Sequence, residues 1–162
     1  MSTMAETASA ARSEPQALSA ADWGLLILRL GLGIIFLAHG AQKVFGLFGG
    51  QGLAAAVEMF STNLGIPAPL GYLAAFTEFF GGLAVLLGVL SRVAGLGLAI
   101  VMVVAAVKVH LPNGFFLSGP GQSGPGIEYN VALFAMAVAL MLTGPGRLAF
   151  WDPEARLLSR RE

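Results

Sequence analysis

The chain has 162 residues, room for one domain; 56% are hydrophobic and only 11% are charged. Soluble domains carry about 25% charged residues, so this composition does not cover a water-facing surface. Nine basic residues balance nine acidic ones without a basic stripe or interleaved aromatic platform, which argues against nucleic acid as a partner, and the lack of cysteine excludes disulfides, thiolate catalysis and cysteine-held metal centres within the chain.

Residues 1–22 are small, polar and proline-containing, and read as a flexible tail. No basic stretch stands immediately before an apolar core, so the run from Trp23 is a retained first span and not a cleaved signal peptide. Crossing a bilayer takes about 17 to 25 apolar residues in a helix. Four segments qualify: Trp23 to Phe45, Leu70 to Leu90, Val93 to Leu111 and Ile127 to Thr143. The expected fold is an all-α, four-helix transmembrane bundle over residues 23–146, followed by a cytoplasmic tail over 147–162.

Between the first two segments, Leu53, Val57, Phe60 and Leu64 recur at helical spacing while Glu58, Ser61 and Thr62 occupy the other face. This predicts a short interfacial helix, or a cap over the bundle mouth, ended by Pro67 and Pro69; an ordinary connecting helix would show the same pattern. A turn at Ser91-Arg92 joins the second and third segments into a hairpin. The connection after His110 carries SGPG twice and reads as a turn-rich loop, with Phe115, Phe116 and Leu117 dipping to the interface. Gly144-Pro145 stops the last helix, and Trp151 suits the headgroup layer.

Six arginines (12, 92, 147, 156, 160 and 161) fall on the side of the termini and the short turn, against Lys43 and Lys108 near the opposite mouth. The positive-inside rule then places both termini in the cytoplasm of a multi-pass protein of the bacterial inner membrane.

Every segment sends a titratable or strongly polar group towards the outer half. These are His39 and Lys43 on the first, Glu78 on the second, Lys108 and His110 on the third, and Glu128 and Asn130 at the start of the fourth. Glu78 lies eight residues into its segment, about 12 Å deep at 1.5 Å per residue. A charge at mid-bilayer costs about 2.5 to 3.5 kcal/mol or more, so such groups face the bundle interior or pair. Arg29 sits nearer the inner face, needs a carboxylate, and reaches the outer His39–Lys43 cluster only through an intermediate one; Glu78, lying between them, is the candidate link.

Three readings follow. In one, Arg29, Glu78, Lys108 and Glu128 are structural pairs that fix helix register in a scaffold or anchor. In the second, Arg29, His39, Lys43, Glu78, Lys108, His110, Glu128 and Asn130 contribute to a ligand-binding site open to the outside, with His39, Glu78 and His110 the candidates for proton exchange. A quinone headgroup or another small molecule would suit it. The third is a carrier or permease using the same lining. Metal-ligand spacing such as His-x-x-x-His is absent, and haem ligation by His39 and His110 has no local motif behind it. Glycines at 24, 31 and 33, at 81, 82 and 88, and at 95 and 97 mark expected helix contacts.

The strings LRLGLGIIFLAHGAQKVFG and TEFFGGLAVLLG, followed by VKVHLPNGFF and GIEYN, resemble the DoxX family of small four-helix membrane proteins over about residues 24–144. Arg29, His39, Gly40 and Lys43 match its first-helix signature, Glu78 and Gly81, Gly82 and Gly88 its second, and His110 and Glu128 its later polar positions. The resemblance implies links to thiosulfate:quinone oxidoreductase and to redox or detoxification complexes. For a redox-linked chain without its own redox centre, the expectation is a quinone-facing or anchoring subunit in the lipid bilayer whose redox protein partner carries the cofactor, with a homo-oligomer as the other expected assembly. Without cysteine, covalent handling of a sulfur substrate has no obvious agent here.

Overall fold

The computed structural model describes residues 17–154; the tail expected over 1–16 and the end of the C-terminal tail over 155–162 lie outside the described residues. Among the described residues five α-helices follow one another: α1 Ala20–Phe45, α2 Leu53–Leu64, α3 Ala68–Leu87, α4 Ser91–Ala105 and α5 Glu128–Thr143. A π turn Ala106–His110 and a 3-10 turn Leu111–Asn113 prolong α4. The protein is an all-α membrane protein with a core bundle of α1, α3, α4 and α5 and a shorter interfacial α2 between the first two spans. Around the bundle the order is α1, α3, α4, α5, with α5 returning to α1; α1 packs most closely on α3, and α4 on α5.

Leu32, Phe36, Val85, Leu98, Leu133 and Leu140 are buried together along the axis. The outward surface is equally apolar: Ile27 and Leu142 are 68% and 67% exposed. An apolar exterior around an apolar core is stable only where hydrocarbon replaces water. α1, α3 and α4 with its extension are long and apolar enough to cross a membrane, whereas α5 is a shorter apolar helix of 16 residues.

Glycine sets the closest approaches. A Cβ at Gly40 would stand 2.4 Å from the Phe79 backbone, one at Gly82 2.5 Å from the Leu37 nitrogen, and one at Gly95 2.7 Å from the Ala137 carbonyl oxygen. Gly33, Gly40 and Gly82 therefore seat α1 on α3, and Gly95 seats α4 on α5. Gly24, expected to belong to this set, meets nothing within 4 Å.

One end of the bundle, here the base, gathers residues 17–19, the α3–α4 turn and residues 144–154. The Ser19–Asp22 capping box starts α1 three residues before Trp23. The turn falls at Gly88–Leu90, earlier than expected, because Gly88 in the left-handed region (φ 73°) ends α3 and Ser91 is already helical. The Glu154 carboxylate then accepts from the Arg92 and Val93 amides at 2.9 and 3.0 Å, capping α4 from a distant part of the chain. Arg92 in turn donates to the Met141, Leu142 and Thr143 carbonyls that end α5.

At the other end, the mouth, Gly65 (φ 63°) closes α2, while Pro67 and Pro69 begin α3 and do not terminate α2. The 114–128 loop folds back on itself: the Gly126, Ile127 and Glu128 amides donate to the carbonyls of Phe116, Gly114 and Phe115. Phe115, Phe116 and Leu117 stay exposed on it.

Candidate functional site

The α1 register carries His39 and Lys43 one turn apart, and both reach the same cavity in the mouth half. α3 brings Glu78 to its α1-facing side, in the row of buried residues Gly71, Ala75, Gly82 and Val85. Lys43 Nζ and the Glu78 carboxylate form an ion pair, with the lysine side chain 23% and the glutamate 7% exposed. Glu78 thus finds its partner on α1, but the partner is Lys43.

The expected link from Arg29 to Glu78 does not form. Arg29 and Lys43 are fourteen residues apart on one helix, about 21 Å at the helical rise. At the base, Arg29 Nε donates to the Val85 carbonyl at 3.0 Å and Nη2 to Leu86 at 3.1 Å, and Nη1 donates to Pro145 and Leu148, both at 3.1 Å. The end of α3 leaves carbonyls without intrahelical partners, and they carry the negative end of the helix dipole. A guanidinium is satisfied there without a carboxylate.

On α4, Pro112 has no amide to continue the helix, and the Leu111 amide reaches back to Ala106 in a widened turn. This turn carries Lys108, which is exposed, and His110. His110 Nδ1 lies 2.9 Å from the Pro125 carbonyl oxygen. A carbonyl only accepts, so Nδ1–H is the donor in this contact; in the neutral tautomer with that proton, Nε2 is the acceptor. Buried Asn130 at the start of α5 lines the same cavity and directs its amide towards the Met102 sulfur at 3.7 Å. Glu128 points elsewhere: its carboxylate accepts from the Leu117 amide at 3.0 Å and holds the loop.

The cavity has a volume of about 960 Å³. His39, Lys43, Glu78, Lys108, His110 and Asn130 line it; Arg29 and Glu128 do not. Apart from Thr77 and Tyr129 its remaining walls are apolar, with Phe60 and Met59 of α2 closing the mouth side and Leu133 and Phe36 lying deeper. The apolar face of α2 was legible as periodicity, with a cap over the bundle mouth among its expected roles; which of its residues line the cavity was not. A large apolar cavity with a few converging polar groups is the usual form of a small-molecule site.

Residues 24–111 match the DoxX family model, a stretch that contains the α1 basic residues, Glu78 and His110. The chain belongs to the DoxX family. This DoxX protein is 32% identical over 130 residues to a Bacillus subtilis (strain 168) protein named provisionally as an oxidoreductase, CatD, covering 80% of this chain and 85% of that one. It is 33% identical over 165 residues to the uncharacterized membrane protein Rv3486 of Mycobacterium tuberculosis (strain ATCC 25618 / H37Rv), covering 97% and 96%. No solved structure matches significantly.

Proposed function

We propose that this DoxX protein is a membrane subunit of a quinone-linked oxidoreductase system, with its mouth facing outward and both termini in the cytoplasm. The observation that carries the reading is the cavity itself: apolar walls, with Lys43–Glu78 on one side and His110 and Asn130 on the other. These groups fit a quinone headgroup. Lys43 and the Asn130 amide supply donors for carbonyl oxygens, while Glu78 and His110 Nε2 supply acceptors for the hydroxyls of the reduced form. A bound quinone supplies two-electron, two-proton chemistry, and a partner protein carries the electrons to or from it. Within this chain, His110 and Glu78 would hold or pass the protons, and the apolar walls would keep bulk water away. The oxidoreductase name carried by the Bacillus relative supports the same assignment.

Equilibrium binding of decylubiquinone and a short-chain menaquinone to the purified chain in nanodiscs tests this. Saturable binding that raises the unfolding temperature, and that Glu78→Gln and His110→Ala weaken, is the expected result. Solute uptake into proteoliposomes without any quinone binding would point to a carrier instead.

A further inference from the structure

α3 and α4 meet near the middle of the bundle, and towards the mouth the residues continuing their facing sides are left uncovered. At the crossing, Gly81 takes the Leu98 side chain, a Cβ at Gly97 would stand 3.0 Å from Thr77 Cγ2, and Leu98 is fully buried. The same two helix faces continue one and two turns further as Leu73 and Leu70 on α3 and Ile100 and Val104 on α4. Helices in continuous contact would bury these residues. Instead Leu73 is 61% and Ile100 56% exposed, and all four line the cavity.

We infer that the cavity opens sideways into the bilayer through this α3–α4 gap, and that its ligand is a membrane-dissolved amphiphile whose hydrocarbon chain lies in the gap. This rests on the quinone reading for the headgroup and adds the chain and the route. Two features commit the occupant to hydrocarbon. The gap lies within membrane-spanning segments, so lipid adjoins it, and its borders are leucine, isoleucine and valine with the small residues Gly97 and Thr77 at its floor. Most polar groups are set back from that border: Lys43, Glu78 and Asn130 stand on the α1- and α5-facing sides of the cavity, and Lys108, one turn beyond Val104 on the same α4 face, marks only its mouth end. A ligand entering head first from the lipid places its headgroup on them and leaves its chain between α3 and α4. A polar solute from water would gain nothing from this slot.

Tryptophan at the rim narrows the gap without touching the headgroup residues. In nanodiscs, the Leu73→Trp/Ile100→Trp variant is expected to bind decylubiquinone about tenfold more weakly than wild type, the loss that follows when two methylenes leave apolar contact. Its affinity for ubiquinone-0, which has the headgroup and no chain, stays within about twofold. Unchanged decylubiquinone binding, or equal weakening of both ligands, overturns the inference. If wild type binds neither quinone, the quinone reading fails separately, and the gap is judged with photoactivatable phosphatidylcholine in vesicles. Acyl-chain labelling of Val101 and Leu133 that the double variant abolishes upholds the lateral opening; no labelling at either residue refutes it.

Discussion

Arg29 is 2% exposed, yet among the described residues it meets carbonyl oxygens and no carboxylate. Four N–H groups meet four carbonyl oxygens, a match that depends on the planar fork of a guanidinium. Lysine has a single nitrogen and cannot span two chain segments in this way. Arg29→Lys is therefore expected to lower stability by about 2 kcal/mol or more, from carbonyls left without donors in a dry site. Unfolding in mixed micelles, followed by circular dichroism, measures it. At the mouth, Lys43→Met leaves the buried Glu78 carboxylate without its cation. Losing one partner of a buried pair costs about 3 to 5 kcal/mol, and partial exposure of Lys43 brings the expectation to about 2. Adding Glu78→Gln to that variant should recover much of the loss, and a double-mutant cycle reads the coupling. Sequence reasoning set Glu78 as a link between Arg29 and the His39–Lys43 cluster; the contact with Lys43 forms and the one with Arg29 does not. Helical periodicity gives a residue's face and depth, and says nothing of carbonyls supplied by residues 145 and 148.

The helices are held by close approach, and glycine positions differ sharply in what they do. Gly40→Ala drives a methyl into the α3 backbone at Phe79 and should destabilise by about 1 to 3 kcal/mol. Gly24→Ala meets empty space and should be neutral or gain up to about 1 kcal/mol from helix propensity. The two variants, compared by thermal unfolding in one detergent, separate packing from propensity. Span positions were legible to within a few residues because long apolar runs are strong signals. Their ends were less so: the Ser19 box, Gly88 and the Glu154 cap decide where α1, α3 and α4 stop and start. Glu154 stands 62 residues from the Arg92 amide it binds, too far along the chain for a local pattern to find it.

For the whole molecule, the base is built from charge-to-backbone contacts and the mouth from a cavity, a division that suits one rigid end and one ligand-accepting end. The chain contains no cysteine, so single cysteines report sidedness directly. Ala17→Cys and Phe116→Cys, both exposed positions at opposite ends, should react with an impermeant maleimide from opposite sides of the membrane. With both termini inside, intact spheroplasts label at 116 and not at 17; the reverse pattern inverts the proposed orientation.

Composition alone determined that this chain lives in a bilayer, because 11% charged residues cannot clothe a soluble surface. Apolar run lengths determined the helical spans, and the motif residues pointed to the family. Tertiary structure decided which polar groups meet. It separated Arg29 from the mouth cluster, paired Lys43 with Glu78, turned Glu128 to the loop, and opened the gap between α3 and α4. Those outcomes depend on helix rotation and crossing, which are set by where glycine lets two backbones touch.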